Sequence, residues 1–101
     1  MPTRLLEPHD DFRISFDPMI ERRVIQVNVK SDIALYAYIV DGEGLEEYDD
    51  GDDFTTFAGG NKRRRNHKLR TVMPSRLRWY LLVVNTSDEL ALVDWNAFYE
   101  R

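Results

Sequence analysis

The amino-acid sequence predicts an all-β protein, an antiparallel β-sandwich or jelly-roll-like fold of about seven strands. Short segments alternate apolar and polar residues, turn-forming residues recur roughly every ten positions, and no stretch has the spacing of an amphipathic helix. A chain of 101 residues has room for one domain. We therefore assign residues 1–101 to a single sandwich, with residues 1–11 as a flexible N-terminal arm.

The segment Arg76–Asn85 is the most apolar of the chain and is predicted to be a central strand. Turn-forming residues bound it on both sides, where proline fixes φ and Asn, Ser and Asp bond to the backbone. Alternation along the strand places Trp79 in the core. It places Tyr80, Leu82 and Val84 on the opposite face, which needs another cover.

Two upstream segments, Ile20–Lys30 and Ile33–Val40, are predicted to be strands separated by a tight turn at Ser31-Asp32. The first segment alternates cleanly, which is typical of a strand with one face in water. The second segment is apolar or aromatic on both faces, and it carries Tyr36 and Tyr38 on the same side. Neither face of this second strand is therefore expected to be fully exposed to water.

The rest of the chain adds further predicted strands but no complete helix. Asp41–Gly44 is predicted to be a turn, and Leu45–Tyr48 fits either a helical turn or an edge strand. The other predicted strands are Phe12–Phe16, Phe54–Ala58, His67–Met73 and Leu90–Tyr99.

Composition narrows the classes of function. The chain has no cysteine, no apolar run typical of a signal peptide and no segment long enough to cross a bilayer, so we expect a cytoplasmic protein without membrane contact. The net charge is −4, which argues against general binding of nucleic acid. The charge is nevertheless polarised: residues 1–53 hold 14 acidic and five basic residues, whereas residues 54–101 hold four acidic and nine basic.

The acidic stretch 41–53 contains eight carboxylates. Clustered carboxylates suit Ca²⁺, a hard cation that prefers oxygen ligands. The metal-ligand candidates are Asp49, Asp50, Asp52 and Asp53. Their spacing does not match a calcium-binding EF-hand loop, and a solvated loop explains the same charges. Calcium is the one cofactor that the sequence leaves open.

The basic stretch 62–70 contains Arg63, Arg64 and Arg65, a pattern found in nucleic-acid and anion-binding patches. The acidic stretch lies close by in sequence, so mutual neutralisation of the two stretches, across a hairpin or between subunits, is the competing interpretation. Binding of nucleic acid is therefore an alternative and not the favoured hypothesis.

The aromatic and apolar residues of the two central strands indicate a surface for association. If Tyr36, Tyr38, Tyr80 and Leu82 share one outer face, they form an apolar patch, and such patches usually mark a partner surface. Aromatic rings can also form a carbohydrate platform, although tryptophan in a small sandwich is more often in the core. Our leading hypothesis is a non-enzymatic protein-interaction or assembly module, with self-association as its simplest form.

Catalysis has little support in the sequence. The two histidines, His9 and His67, have no neighbouring serine and acid in a recognisable arrangement, and their spacing does not suit zinc. The main alternative is therefore another kind of binding: a domain that binds calcium, carbohydrate or nucleic acid through the acidic loop 41–53 and the basic loop 62–70.

The order of features from Val24 onward adds a resemblance. The features are a strand pair over Val24–Val40, a Tyr48-x-x-Gly51 motif, Gly59-Gly60 followed by basic residues, then Pro74, the pair Trp79-Tyr80 and a closing strand. In this order the chain resembles a small bacterial family known as "domain of unknown function 1883", over about three quarters of its length. The resemblance implies a compact β-sandwich, alone or joined to signalling domains of the Toll/interleukin-receptor type. It also implies a sensor or adaptor role in bacteria and transfers no catalytic residue.

Overall fold

A computed structural model describes residues 3–60 and 62–100, which form seven strands and one helix. Each strand pairing in the described residues is antiparallel, so the predicted all-β sandwich class is confirmed. The helix α1 (Gly42–Asp49) lies between the third and fourth strands. The strands are β1 (Thr3–Leu6), β2 (Asp11–Phe16), β3 (Arg23–Asp41), β4 (Ala58–Gly59), β5 (Arg64–Met73), β6 (Trp79–Val84) and β7 (Ala91–Tyr99).

Strand β3 is one continuous element of 19 residues, so the predicted tight turn at Ser31-Asp32 is wrong. The chain passes through these residues as an irregularity, and its register with β5 shifts between Lys30 and Leu35. Ser31 Oγ accepts a hydrogen bond from the Ile33 N–H at 3.3 Å, and Asp32 Oδ1 accepts one from the Leu92 N–H at 2.9 Å. These side chains satisfy backbone groups beside a bulge instead of reversing the chain.

Because β3 is long, it belongs to two layers. Residues 23–31 pair with β5 on one side and β7 on the other, and β1 continues this layer beyond β7. We call this layer, ordered β5–β3–β7–β1, sheet I. Residues 36–41 pair with β6, and β2 and β4 complete a second layer that we call sheet II, ordered β4–β3–β6–β2.

One hydrophobic core lies between the two sheets. Trp79 is completely buried there, as the alternation predicts, and its ring stacks on Phe16 with centroids 4.0 Å apart. The Trp79 indole N–H is buried without a hydrogen-bond partner among the described residues. Such an unpaired group costs about 1–3 kcal/mol, which the packing of the ring offsets. Other large, fully buried side chains are Ile25, Leu35, Ile39, Met73 and Leu81.

The predicted N-terminal arm is partly ordered. Thr3–Leu6 form β1 on the edge of sheet I, and Leu6 is buried at 2% exposure. The buried Asn85 side chain donates to the carbonyls of Leu6 at 3.3 Å and Glu89 at 2.8 Å, which ties the arm to the β6–β7 loop. Residues 1–2 of the predicted arm lie outside the described residues. Over residues 3–6 the chain is a strand, because apolar burial and amide hydrogen bonds offset the entropy of ordering it.

The region after β3 also differs from expectation. The sequence predicted no helix, yet α1 begins after Asp41, whose carboxylate accepts a hydrogen bond from the Gly44 N–H at 2.8 Å. The predicted strand Phe54–Ala58 is reduced to β4, which covers Ala58–Gly59. No helix in the described part of the chain is long and apolar enough to cross a membrane.

Candidate functional site

The face predicted to carry an exposed apolar patch is largely covered. Tyr38 pairs with Leu82, so these two lie on the same outer face of sheet II, as predicted. However, Leu82 and Val40 are completely buried, and Tyr36, Tyr38 and Tyr80 are half-buried. Leu82 is therefore not part of an exposed patch. Helix α1 lies over β3 and β6, and Phe54 from the loop after it packs on Tyr38, so together they provide the cover that this face needs.

Helix α1 is held on sheet II by polar contacts at its C-terminal end. The Arg13 guanidinium donates to both carboxylate oxygens of Asp49, each at 2.8 Å, and Tyr48 Oη donates to Asp11 Oδ2 at 2.9 Å. The hydrogen bonds from Arg13 lower the pKa of the Asp49 carboxyl, and the same contact raises the pKa of Arg13. Burial, together with the hydrogen bond to Asp11, raises the pKa of Tyr48 to about 12.

An aromatic cluster closes the other side of this cover. Tyr36 and Tyr38 lie nearly parallel with ring centroids 6.2 Å apart, and Phe54 packs edge-on against both Tyr38 and Tyr48 at 5.0 and 5.2 Å. Burial, with a smaller contribution from Tyr36, raises the pKa of Tyr38. The predicted strand Phe54–Ala58 does not begin at Phe54, because the Phe54 ring packs against Tyr38. The predicted interaction residues of sheet II therefore mostly hold the helix and its loop in place.

The predicted metal ligands do not form a cluster. Asp49 is engaged by Arg13, and Asp50, Asp52 and Asp53 lie exposed at and after the end of α1. Within residues 3–60 and 62–100, no three His, Asp or Glu side chains are placed to hold a metal ion. Much of the acidic stretch serves the local fold: Asp41 caps α1, and Glu47 accepts a hydrogen bond from the Thr55 N–H.

The basic residues 62–70 lie mostly on a strand and not on a loop. Arg63 precedes β5, Arg64 and Arg65 begin it, and all three are exposed. The strand extends back to Arg64 because His67 and Leu69 point into the core, and the His67 ring donates through Nε2 to the Leu35 carbonyl at 2.7 Å. The predicted basic loop is therefore the first half of an edge strand of sheet I.

Helix α1 contacts β3 and β6 and lies over sheet II, whereas the outer face of sheet I has a polar centre. Gln26 donates to Asn28 Oδ1, and Asn28 donates to Asn96 Oδ1, each at 3.0 Å. This amide row crosses from β3 to β7 and borders a shallow groove of about 590 Å³. The groove is also lined by Lys30, Asn66 and Lys68. A row of this kind presents hydrogen-bond donors and acceptors on a rigid surface.

Apolar side chains lie at both ends of the same face. Leu5 and Leu92 are paired across β1 and β7 at one end, and Val72 and Phe98 lie at the other. These four are among the seven large hydrophobic side chains that are exposed in the described residues, so more than half of them share this face. Sequence reasoning missed this surface, because Leu5 lies in the segment predicted to be a flexible arm and the neighbouring order of β1, β7, β3 and β5 is not readable from one sequence.

Comparison with known proteins supports the fold and nothing narrower. No protein-family model and no curated protein matches the sequence. Among solved structures, the chain resembles the mitogen from Yersinia pseudotuberculosis with a TM-score of 0.68 at 13% identity, over 98% of this chain and 83% of that one.

Two carbohydrate-binding modules are also similar. One is CBM36 in complex with calcium and xylotriose, with a TM-score of 0.47 at 14% identity over 95% of this chain and 78% of that one. The other is CBM4, with a TM-score of 0.45 at 6% identity over 97% of this chain and 82% of that one.

Proposed function

We propose that this chain is a non-enzymatic protein-interaction module whose recognition surface is the outer face of sheet I. The observation that carries the proposal is the concentration of exposed Leu5, Val72, Leu92 and Phe98 on one uncovered sheet face. Two exposed apolar pairs with hydrogen-bonding groups between them resemble the mixture of apolar and polar groups found in surfaces that bind another protein. The proposed recognition surface therefore differs from the predicted one on the outer face of sheet II, because α1 lies over that face.

The simplest partner is a second copy of the chain, as the sequence suggested. Two such faces packed together would bury the apolar ends, and the amide row would satisfy its remaining donors across the contact. A sensor or adaptor role in a bacterial system, implied by the family resemblance, is compatible with this proposal and rests on the same surface.

The proposal is tested by size-exclusion chromatography with light scattering over a concentration series at low and high ionic strength. We expect a mass above the 12.0 kDa of one chain. The double change Leu92→Glu and Phe98→Glu is expected to return it to the monomer, because it places charge in both apolar ends. Ile20→Glu is the control, since Ile20 is exposed and lies in the β2–β3 loop, outside the strands of sheet I. A monomer under all conditions would contradict the assembly form.

The amide row favours a second candidate, a carbohydrate-binding module. Side-chain amides pair well with sugar hydroxyl groups, and Gln26, Asn28 and Asn96 are already fixed in one geometry by their mutual hydrogen bonds. Calorimetry with neutral and uronic-acid oligosaccharides tests this alternative. Binding that disappears in Asn96→Ala, with the protein monomeric throughout, would favour it over protein interaction.

A further inference from the structure

We infer that the free edge of β5 binds an extended segment of a partner protein in which acidic and apolar residues alternate. The segment would add as a further strand beside β5, and its acidic side chains would face outward. This inference concerns the edge of sheet I and a different kind of partner. It shares Asn66 and Lys68 with the outer-face groove, but peptide binding and self-association are measured separately.

The first step is the length and accessibility of the edge. Among the described residues β5 pairs with β3 and with no other strand, and it runs for ten residues without proline. The other edge strands, β1 and β2, have four and six residues, and β4 has two. An edge strand presents a row of unpaired backbone donors and acceptors that another strand can bind.

The second step identifies which backbone groups of β5 face outward. The Glu100 N–H donates to the Val24 carbonyl at 2.9 Å, so Val24 directs its backbone groups toward β7. Successive residues of a strand direct these groups to opposite sides, so Ile25 directs its own toward its β5 partner, Thr71. By the same alternation, the N–H and C=O groups that point away from β3 belong to Asn66, Lys68, Arg70 and Val72.

The third step is the chemistry on either side of this edge. The segment 62–73 contains six basic residues and no acidic one. Arg70 is paired with Glu100 at 2.7 Å, whereas Arg64 and Lys68 are exposed and appear in no salt bridge of the described residues. On the inward side, His67 and Leu69 are almost completely buried at the rim of the core and still line the groove beside β5. An added strand therefore meets cations on its outer side and the rim of the hydrophobic core on its inner side.

The fourth step is the space for an occupant. A groove of about 410 Å³ lies beside the first half of β5, between Gly59-Gly60 and residues 64–69. A second copy of β5 is a poor occupant, because antiparallel pairing of two such strands would oppose cations with cations. An acidic strand would form the same backbone hydrogen bonds and would carry charge opposite to that of β5. The partner strand is therefore expected to place acidic residues on its outer side, in alternation with apolar residues on its inner side.

The probe is a blocked peptide of alternating glutamate and valine, added to the folded protein and followed by fluorescence anisotropy. We expect saturable binding that weakens with salt. A peptide of alternating lysine and valine should not bind, and a peptide with the glutamates and valines in separate blocks should bind at least about tenfold more weakly, because it cannot match both sides of the edge.

Two variants test the edge itself. Asn66→Pro removes an outward N–H without changing charge or a β3–β5 hydrogen bond, since proline is tolerated where the N–H faces solvent. Its matched control is Asn66→Ala, which keeps the N–H. We expect Asn66→Pro to bind the glutamate-valine peptide at least about tenfold more weakly than Asn66→Ala. The double change Arg64→Glu and Lys68→Glu should abolish binding of the peptide. It tests the same edge if Asn66→Pro fails to fold.

Three outcomes would overturn the inference. They are equal binding by Asn66→Pro and Asn66→Ala when both unfold at the same denaturant concentration, no binding of the glutamate-valine peptide by the wild-type protein, and preferential binding of an oligodeoxythymidylate probe that the Arg64→Glu and Lys68→Glu double change abolishes. The last outcome would assign the basic edge to nucleic acid. Light scattering run in parallel reports self-association separately, so failure here and failure of the proposed function are distinguishable.

Discussion

Arg13 and Asp49 are joined by two parallel hydrogen bonds of 2.8 Å, which connect the edge strand β2 to the last residue of α1. Fork-to-fork pairing of this kind fixes orientation as well as distance. The pair therefore determines where α1 ends over sheet II, and through it how far the helix covers Leu82 and Tyr80.

We expect Arg13→Gln to loosen α1 while leaving the sandwich folded, because the helix loses its bidentate anchor at the C-terminal end. Hydrogen exchange of the backbone amides from Gly44 to Asp49 should become faster, whereas exchange in β6 should not change. Arg78→Gln is the control, since it removes a comparable pair with Asp17 that does not touch α1. Unchanged exchange across α1 in Arg13→Gln would show that the pair does not anchor the helix.

Tyr48 should make stability depend on pH in the alkaline range. Its pKa is raised from 10.0 to about 12 in the folded protein, so folding favours the neutral phenol. The stabilisation is fully present below pH 10 and is lost as the pH rises through about 12. Urea unfolding between these values should show a steeper loss in the wild-type protein than in Tyr48→Phe, which has no phenol to ionise. Parallel pH profiles for the two proteins would contradict this.

Gly44 is predicted to be intolerant of a side chain. A Cβ atom there would clash with the Thr55 carbonyl oxygen, whereas a Cβ atom at Gly42 would meet nothing within 4 Å. Gly44→Ala should therefore lower the free energy of unfolding by about 1–3 kcal/mol through overpacking. Gly42→Ala should be neutral or raise it by up to about 1 kcal/mol, because alanine favours the helix. Chemical denaturation that ranks the two variants in the opposite order would refute the close approach.

Leu82 tests the cover of sheet II by α1. Because it is completely buried, Leu82→Ala should lower the free energy of unfolding by about 2–5 kcal/mol. Leu90→Ala, at a side chain that is 51% exposed, should change it by less than about 0.5 kcal/mol. If both variants unfolded at the same urea concentration, Leu82 would be a surface residue in solution and the original interaction patch would be restored.

The sequence was most informative where one local pattern decides the structure. The alternation around Trp79 placed β6 at the centre of sheet II and its indole in the core, since a period of two leaves one inner face. The alternation of β3 similarly indicated an outer face with Gln26 and Asn28 in water. These features depend on residues close together in sequence.

Where tertiary contacts compete with local signals, the prediction was incomplete. Ser31-Asp32 has turn chemistry, but its side chains serve a bulge because β3 has partners in both sheets. Helix α1 after Asp41 has only eight residues, so its local sequence pattern is short. The helix is stabilised by Arg13, which is distant in sequence. The amide row and the basic edge both depend on which strands are neighbours, and a single sequence does not give that order.

The sharing of β3 between two sheets has a consequence for how the chain folds. In the described sheets, the paired residues that are closest in sequence, Ile39 and Ala58, are 19 positions apart. Strand β1, the first in sequence, pairs with β7, the last. In such a topology the chain loses the entropy of loop closure before stabilising contacts form, so folding should take roughly milliseconds to seconds. Since β3 is the one strand that both sheets need, substitutions within it should slow folding more than they accelerate unfolding.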